Sequence, residues 1–297
     1  MFCSNASWKD NAVTVADRTI IGSAPLDIFI NQQDQLFIIN QDTGDTLIWK
    51  NLSGNPVKID SNATDPWSMF VTEENEIFIE NRCPKNRIES WNLNGTRMRL
   101  ISSVSSSCAG LFVDINNDVY CSQYYKHIVA KKSLNDPNNR TTTVAGTGCR
   151  NSAADALDTP NGIFVDKNLD LYVADSGNNR IQRFSYGRTV GVTVAGNGVG
   201  SFNLLFPITV TLDGHGYLFI VDRGNHRIIG SGSGGFRCLV GCSGINGSSS
   251  SQLNGPTGLS FDSHGNMFVS DTFNHRIQQF SISPGSLCSE LTIHKNP

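Results

Sequence analysis

Two short runs in the C-terminal half bring an acid, a base and a guanidinium together: Asp222, His226 and Arg227, and again Asp271, His275 and Arg276. A histidine oriented by a carboxylate is a common general base of hydrolytic and proton-transfer chemistry. Asp175 and Arg180 share the spacing, with Asn179 in the histidine's place. Three copies of one Asp/Arg pair, with no nucleophile beside them, point instead to a repeated lock in which the carboxylate caps a loop and pairs with the arginine. No catalytic residue is therefore assigned. The P-loop, the dinucleotide-binding glycine run, the G-x-S-x-G elbow and the H-E-x-x-H helix are absent. The glycine-rich run 231–235 joins two strands rather than opening a helix, which makes it a turn and not a phosphate cradle.

What positions these residues is a repeat. The segment PNGIFVDKNLDLYVADSGNNRIQRF from Pro160 recurs as PITVTLDGHGYLFIVDRGNHRIIGSG from Pro207 and as PTGLSFDSHGNMFVSDTFNHRIQQF from Pro256. In each, the Asp falls 15 residues after the proline and the Arg falls 20 after it. The same ruler finds weaker copies from Pro25 to Asn40, from Pro66 to Asn81, and from Cys108 to Gln123. Within a unit, two short apolar runs flank a polar turn and predict a hairpin, Arg180 to Phe184 supplies a third strand, and T-V-A-G (143–146, 193–196) or L-V-G (239–241) marks a fourth. Four antiparallel strands in each of six units, with no helical period, predict an all-β six-bladed propeller over residues 1–297, with 284–297 as a C-terminal tail. The sixth unit lacks a fourth strand, whereas Ala12 to Ala16 is such a strand without a unit. The N-terminal strand is expected to complete blade six and remove an exposed edge; Leu291 to Ile293 is the competing candidate.

The pattern P-x-G-hydrophobic-x-hydrophobic-D, then a hairpin, then V-x-D-x-x-N-H-R-I, resembles the NHL repeat over nearly the whole chain, closely in units four to six. That resemblance implies six blades. It fixes function less well, because such propellers include extracellular sensors, substrate-binding domains of ubiquitin ligases, RNA binders and a peptide-amidating lyase. Propeller enzymes converge carboxylates, Asn or His on the central axis to hold a metal. The pairs expected there are Leu26/Asp27, Trp67/Ser68, Ala109/Gly110, Asn161/Gly162, Ile208/Thr209 and Thr257/Gly258. One carboxylate and one Asn make neither a calcium nor a zinc site, so no metal residue and no cofactor are assigned. Calcium held in the channel by backbone carbonyls stays open.

The chain carries 23 Lys and Arg against 26 Asp and Glu, a net charge of −3, with 16% charged residues. It has no basic footprint for nucleic acid and no apolar run long enough to span a membrane. The opening MFCSNASWKD lacks the basic end and apolar stretch of a secretory signal. Eight cysteines show no C-x-x-C spacing. Their places in the repeat predict Cys83–Cys108 on one face of neighbouring blades and Cys3–Cys288 across the ring closure. Cys121 pairs with Cys149 or is a buried thiol. Cys238 and Cys242 can bond only around a tight turn. Such a set favours an oxidising compartment, hence an extracellular or secretory location. Six N-x-S/T sequons, at Asn5, Asn51, Asn62, Asn94, Asn139 and Asn246, all fall in loops that could carry a glycan.

The residues that hold the repeat are uniform, while the tips between strands two and three vary. Exposed aromatics and isolated arginines on rigidly held loops are the materials of a binding surface. Trp67, Tyr124, Tyr125, Asn161, Arg223 and Phe273 are the expected contacts; the bland alternative is that Tyr124, Tyr125 and Phe273 merely cover the sheet ends. The expectation is a non-enzymatic, monomeric propeller binding a protein, peptide or glycan. The alternative is a hydrolase or lyase, amidating-lyase-like or lactonase-like, with a divergent metal site.

Overall fold

The computed structural model describes residues 2–52, 54–59, 61, 63–82, 86–101, 106–136, 140–200 and 202–288 of the 297. They form six four-stranded antiparallel sheets set as the blades of a propeller. Blade one is Pro25–Ile30, Leu36–Asn40, Thr46–Trp49 and Val57–Ile59; blade two is Met69–Val71, Ile77–Asn81, Arg87–Trp91 and Arg97–Ile101. Blade three is Cys108–Val113, Asp118–Gln123, Ile128–Ser133 and Thr141–Ala145; blade four is Pro160–Val165, Leu171–Asp175, Arg180–Phe184 and Val192–Gly196. Blade five is Pro207–Leu212, Leu218–Asp222, Arg227–Gly232 and Gly235–Val240. Blade six takes Leu259–Phe261, Met267–Asp271 and Arg276–Phe280, and its fourth strand is the N-terminal Val13–Ala16, in register Val13 with Gln279 and Ala16 with Ile277. The competing Leu291 to Ile293 lies outside the described residues.

The 15-residue ruler is a strand register. Pro25 pairs with Asn40, Cys108 with Gln123, Pro160 with Asp175 and Pro207 with Asp222 across the first hairpin of their blades. The further five residues to the arginine are the next register pair, Asp175 with Arg180, Asp222 with Arg227 and Asp271 with Arg276. Spacing recurs because each number is a fixed path length around a turn.

Hydrophobic burial occurs between blades, in six clusters with one at each junction. Ile28, Leu36 and Ile38 of blade one meet Phe268 and Ile277 of blade six, and Tyr172 and Ile181 of blade four meet Ile220 and Ile229 of blade five. A sheet covered on both faces needs apolar residues on both, so every residue of Leu36–Asn40, Leu171–Asp175, Leu218–Asp222 and Met267–Asp271 is buried. Polar bonds near the axis tie each blade to the next. Asp27 Oδ2 accepts from Met69 N (3.1 Å), Ser68 Oγ donates to Cys108 O (3.0 Å), and Thr209 Oγ1 donates to Thr257 O (2.7 Å). Ser122, Ser176 and Thr257 donate likewise to Asn161 O, Pro207 O and Leu26 O.

The closing glycines of strand four have a steric cause. Gly196 and Gly241 adopt φ of 78° and 70°, and a Cβ on either would sit 2.4 Å from Asn179 O or His226 O. Gly241 also provides the tight turn that brings Cys238 and Cys242 to a Cα separation of 5.7 Å, where they bond.

Cys3 and Cys288 form a disulfide across the closure with Cα atoms 5.1 Å apart. Two pairings differ from expectation. Cys108 bonds Cys121, not Cys83: the two lie on adjacent strands of one hairpin, with Cα atoms 5.1 Å apart. That leaves Cys149 without the Cys121 partner, as an exposed free thiol. Cys83 lies outside the described residues, as do the sequons Asn62 and Asn139; Asn5, Asn51, Asn94 and Asn246 are exposed. The N-terminal segment also fills space that the repeat does not explain. Phe2 and Trp8 pack at 5.0 Å against each other and on Phe219 and Phe261, and Trp8 Nε1 donates to Gly265 O (2.8 Å).

Candidate functional site

The Asp-x-x-Asn-His-Arg runs are structural in their contacts. Asp222 is fully buried; its Oδ1 accepts from Leu205 N (2.7 Å), and its Oδ2 from Arg227 Nε (2.8 Å) and Asn225 Nδ2 (2.9 Å). Asp175 and Asp271 do the same, with Arg180 and Arg276 each at 2.7 Å. No carboxylate oxygen is thereby left to orient the histidine. His226 instead caps the tip turn in a left-handed conformation (φ 53°), and its Nδ1 accepts from Gly255 N (3.0 Å) of the segment leading into blade six. His127 holds Thr159 N in the same way (3.0 Å), and His275 Nδ1 donates to Ser23 O. These three histidines tie neighbouring units together.

The tips themselves are single 3-10 turns, Tyr124–Lys126, Ser176–Asn178, Arg223–Asn225 and Thr272–Asn274. On blades two and three they build an aromatic and cationic cluster. Trp67 lies 5.5 Å from Tyr124, edge to face, and 6.1 Å from Tyr125, while the two tyrosines are 5.0 Å apart. Arg82 covers it, its guanidinium carbon 4.4 Å from the Trp67 ring centre, with Nη2 donating to Tyr125 Oη (3.0 Å). Asp65 fixes Arg82 (2.7 Å) and accepts from Gln41 Nε2 (2.6 Å). Tyr125 stays 57% exposed, so the cluster faces solvent. A cation over an aromatic face, held by a carboxylate, forms a preorganised surface for flat or polar ligands.

Across the ring, the Arg223 guanidinium stacks 5.2 Å from the Phe273 ring. Among the described residues no carboxylate lies within ion-pair distance of it. Burial pulls its pKa below the ordinary guanidinium value, and proximity to Tyr124 works against that. Asn161 is 5% exposed, its Nδ2 donating to Ser176 Oγ (2.8 Å) and Thr159 O (3.2 Å), so it holds blade four together at the channel wall.

Trp67, Tyr124 and Arg223 rim a central channel of about 990 Å³. Four residues after each anchor, the wall carries Phe29, Phe70, Phe112 and Phe164, then Thr211 and Ser260. The first four rings touch in series at 5.6, 4.7 and 5.2 Å. Sequence reasoning missed this arc and Asp65, although the ruler passes through every one of the four phenylalanines. Asp27 reaches the channel as expected, but its oxygens accept from Met69 N and Ile28 N, and burial raises its pKa to about 6. Among the described residues no three His, Cys, Asp or Glu gather as a metal site.

An NHL repeat model matches residues 157–184 and 253–280. NHL repeat-containing protein 3 of Homo sapiens is 33% identical over 75 residues, a match spanning 24% of this chain and 22% of that protein. Two solved structures share the fold. An auxiliary nutrient binding protein from Bacteroides thetaiotaomicron has a TM-score of 0.68 at 15% identity, covering 88% of this chain and 69% of its own. A virginiamycin B lyase from Staphylococcus aureus has a TM-score of 0.60 at 12% identity, covering 95% of this chain and 97% of its own. The register, the blade count and these matches agree on a six-bladed propeller that carries NHL repeats.

Proposed function

We propose that this chain is a secreted, non-catalytic binding propeller that recognises a protein, peptide or glycan at its tip face. The observation that carries the reading is the Trp67, Tyr124, Tyr125 and Arg82 cluster: exposed aromatic area on blades two and three, with a cation that Asp65 holds in place. Amphipathic aromatics and arginine supply most interface energy where they are centred and rigid. The opposite face presents short polar turns that repeat from blade to blade and give a partner little to discriminate. Likeness to a nutrient-binding protein accords with binding. Likeness to a lyase is one of fold, and the channel's Asp27 is already engaged with backbone N–H groups.

Three disulfides support an oxidising compartment. Among the described residues no helix is long and apolar enough to cross a membrane. The test is a screen of purified protein against glycan arrays and displayed peptides and ectodomains, followed by variants. Trp67→Ala is expected to weaken a selected ligand about 30-fold, which corresponds to about 2 kcal/mol. Unchanged binding by Trp67→Ala and Tyr125→Ala, or hydrogen-exchange protection confined to the opposite face, would overturn the reading.

A further inference from the structure

The central channel is more than a by-product of closing the ring. Its wall is asymmetric at the positions four residues after each anchor: Phe29, Phe70, Phe112 and Phe164 form a continuous arc over blades one to four, and blades five and six place the smaller, hydroxylic Thr211 and Ser260 there, beside Ile208, Leu259 and Phe261. The four rings are only half-buried, so an apolar surface faces an open cavity of about 990 Å³. Exposed apolar surface of this extent is costly in water unless something covers it, and a concave apolar wall with few polar groups is the usual form of a small-molecule site.

Charge gives the cavity a direction. At the tip end stands Arg223, unpaired with any carboxylate among the described residues. At the far end the wall carries Glu73, Glu74, Asp114 and Asp166 against Lys167. Asp27, the acid nearest the tip end, turns both oxygens to backbone N–H groups. Arg223 follows Asp222, which pairs with Pro207, and Thr211 stands four residues further along that strand. The level of the arc therefore lies roughly 13 Å along the strand from that of the Arg223 backbone, at about 3.3 Å per residue.

We infer that the channel binds an amphiphilic monoanion, a carboxylate with a medium-length acyl chain, its head on Arg223 and its chain along the phenylalanine arc. The site shares Trp67 and Tyr124 at its rim with the macromolecular surface of the Proposed function, but its contacts are Arg223 and the phenylalanine arc, so it does not depend on that reading. An anion gains from Arg223, the cation at the tip end of the channel, and the mostly acidic far end disfavours the reversed orientation. A flexible chain can cover the arc while leaving Thr211 and Ser260 to water.

Isothermal titration with decanoate, the neutral decyl maltoside and cationic decyltrimethylammonium tests this. Decanoate is expected to bind at one equivalent and at least 10-fold more tightly than either other probe. Arg223→Gln should weaken decanoate about 10-fold without changing decyl maltoside. Thr211→Trp fills the channel from its small side and should abolish decanoate binding with the thermal midpoint unchanged, while ligands selected on the Trp67 surface still bind. No decanoate binding at millimolar concentration, tighter binding of the cation, or wild-type affinity in a folded Thr211→Trp protein would each overturn the inference.

Discussion

At the scale of single residues, the informative groups are those that the blade junctions bury at an electrostatic cost. Glu80 sits where the equivalent positions of other blades carry Ile39, Ser122 or Ser270; its Oε2 accepts from Trp67 N (3.1 Å), and its Oε1 is buried with no close hydrogen-bond partner among the described residues. Burial raises its pKa to about 8 from an ordinary 4.5. Between those values the folded chain holds a proton that the unfolded chain has released. Stability from this group is therefore fully present below about pH 4.5 and is lost as pH rises towards 8. Glu80→Gln should flatten the pH dependence of urea unfolding in that window and make the protein more stable than wild type at pH 8; an unchanged slope would show that another group dominates. Cys121 shows what the sequence conceals at this scale. It occupies a position that is apolar in other blades, and nothing in its spacing says that it bonds Cys108 across the hairpin.

At the scale of elements, the register made the fold readable. Fifteen and twenty residues are distances along a hairpin that any sequence in this geometry must keep, so Asp175 and Arg180 announce their strands in blade four, and the same spacing finds Asn40, Asn81 and Gln123 in blades one to three, which have lost the motif. The fourth strand of blade six was legible as an orphan, because Ala12 to Ala16 matches T-V-A-G strands and has no unit. The packing of Phe2 and Trp8 was not legible, since it lies outside any repeat and depends on the space between blades five and six. The phenylalanine arc escaped for the opposite reason: a residue four places after each anchor looks like one more strand hydrophobe until the ring is closed around it. Removing residues 1–16 should uncover Ile277 and the edge of Arg276–Phe280, lowering the denaturation midpoint and broadening the transition. Cys3→Ser alone should cost about 2–4 kcal/mol while leaving the transition sharp, because it frees the unfolded chain without removing a strand. A truncated chain that melts like the full one would refute closure by this strand.

At the scale of the molecule, six junctions share one design of an apolar cluster and a short polar bond near the axis, so stability is spread around a ring with no single core. The disulfides follow that plan: two are local to a blade and one joins the ends. Labelling without reductant should modify Cys149 and leave Cys3, Cys108, Cys121, Cys238, Cys242 and Cys288 unmodified; modification of those six would place the protein in a reducing compartment. The bond between Cys3 and Cys288 also decides how the ring bears force. Tension on the two ends would otherwise act where Val13 meets Gln279, at adjacent ends of an antiparallel pair, and unzip it one hydrogen-bonded pair at a time. With Cα atoms 5.1 Å apart and sulfurs joined, the load passes through the covalent link and bypasses the blades. The propeller can be pulled by its ends while its tip face keeps its shape.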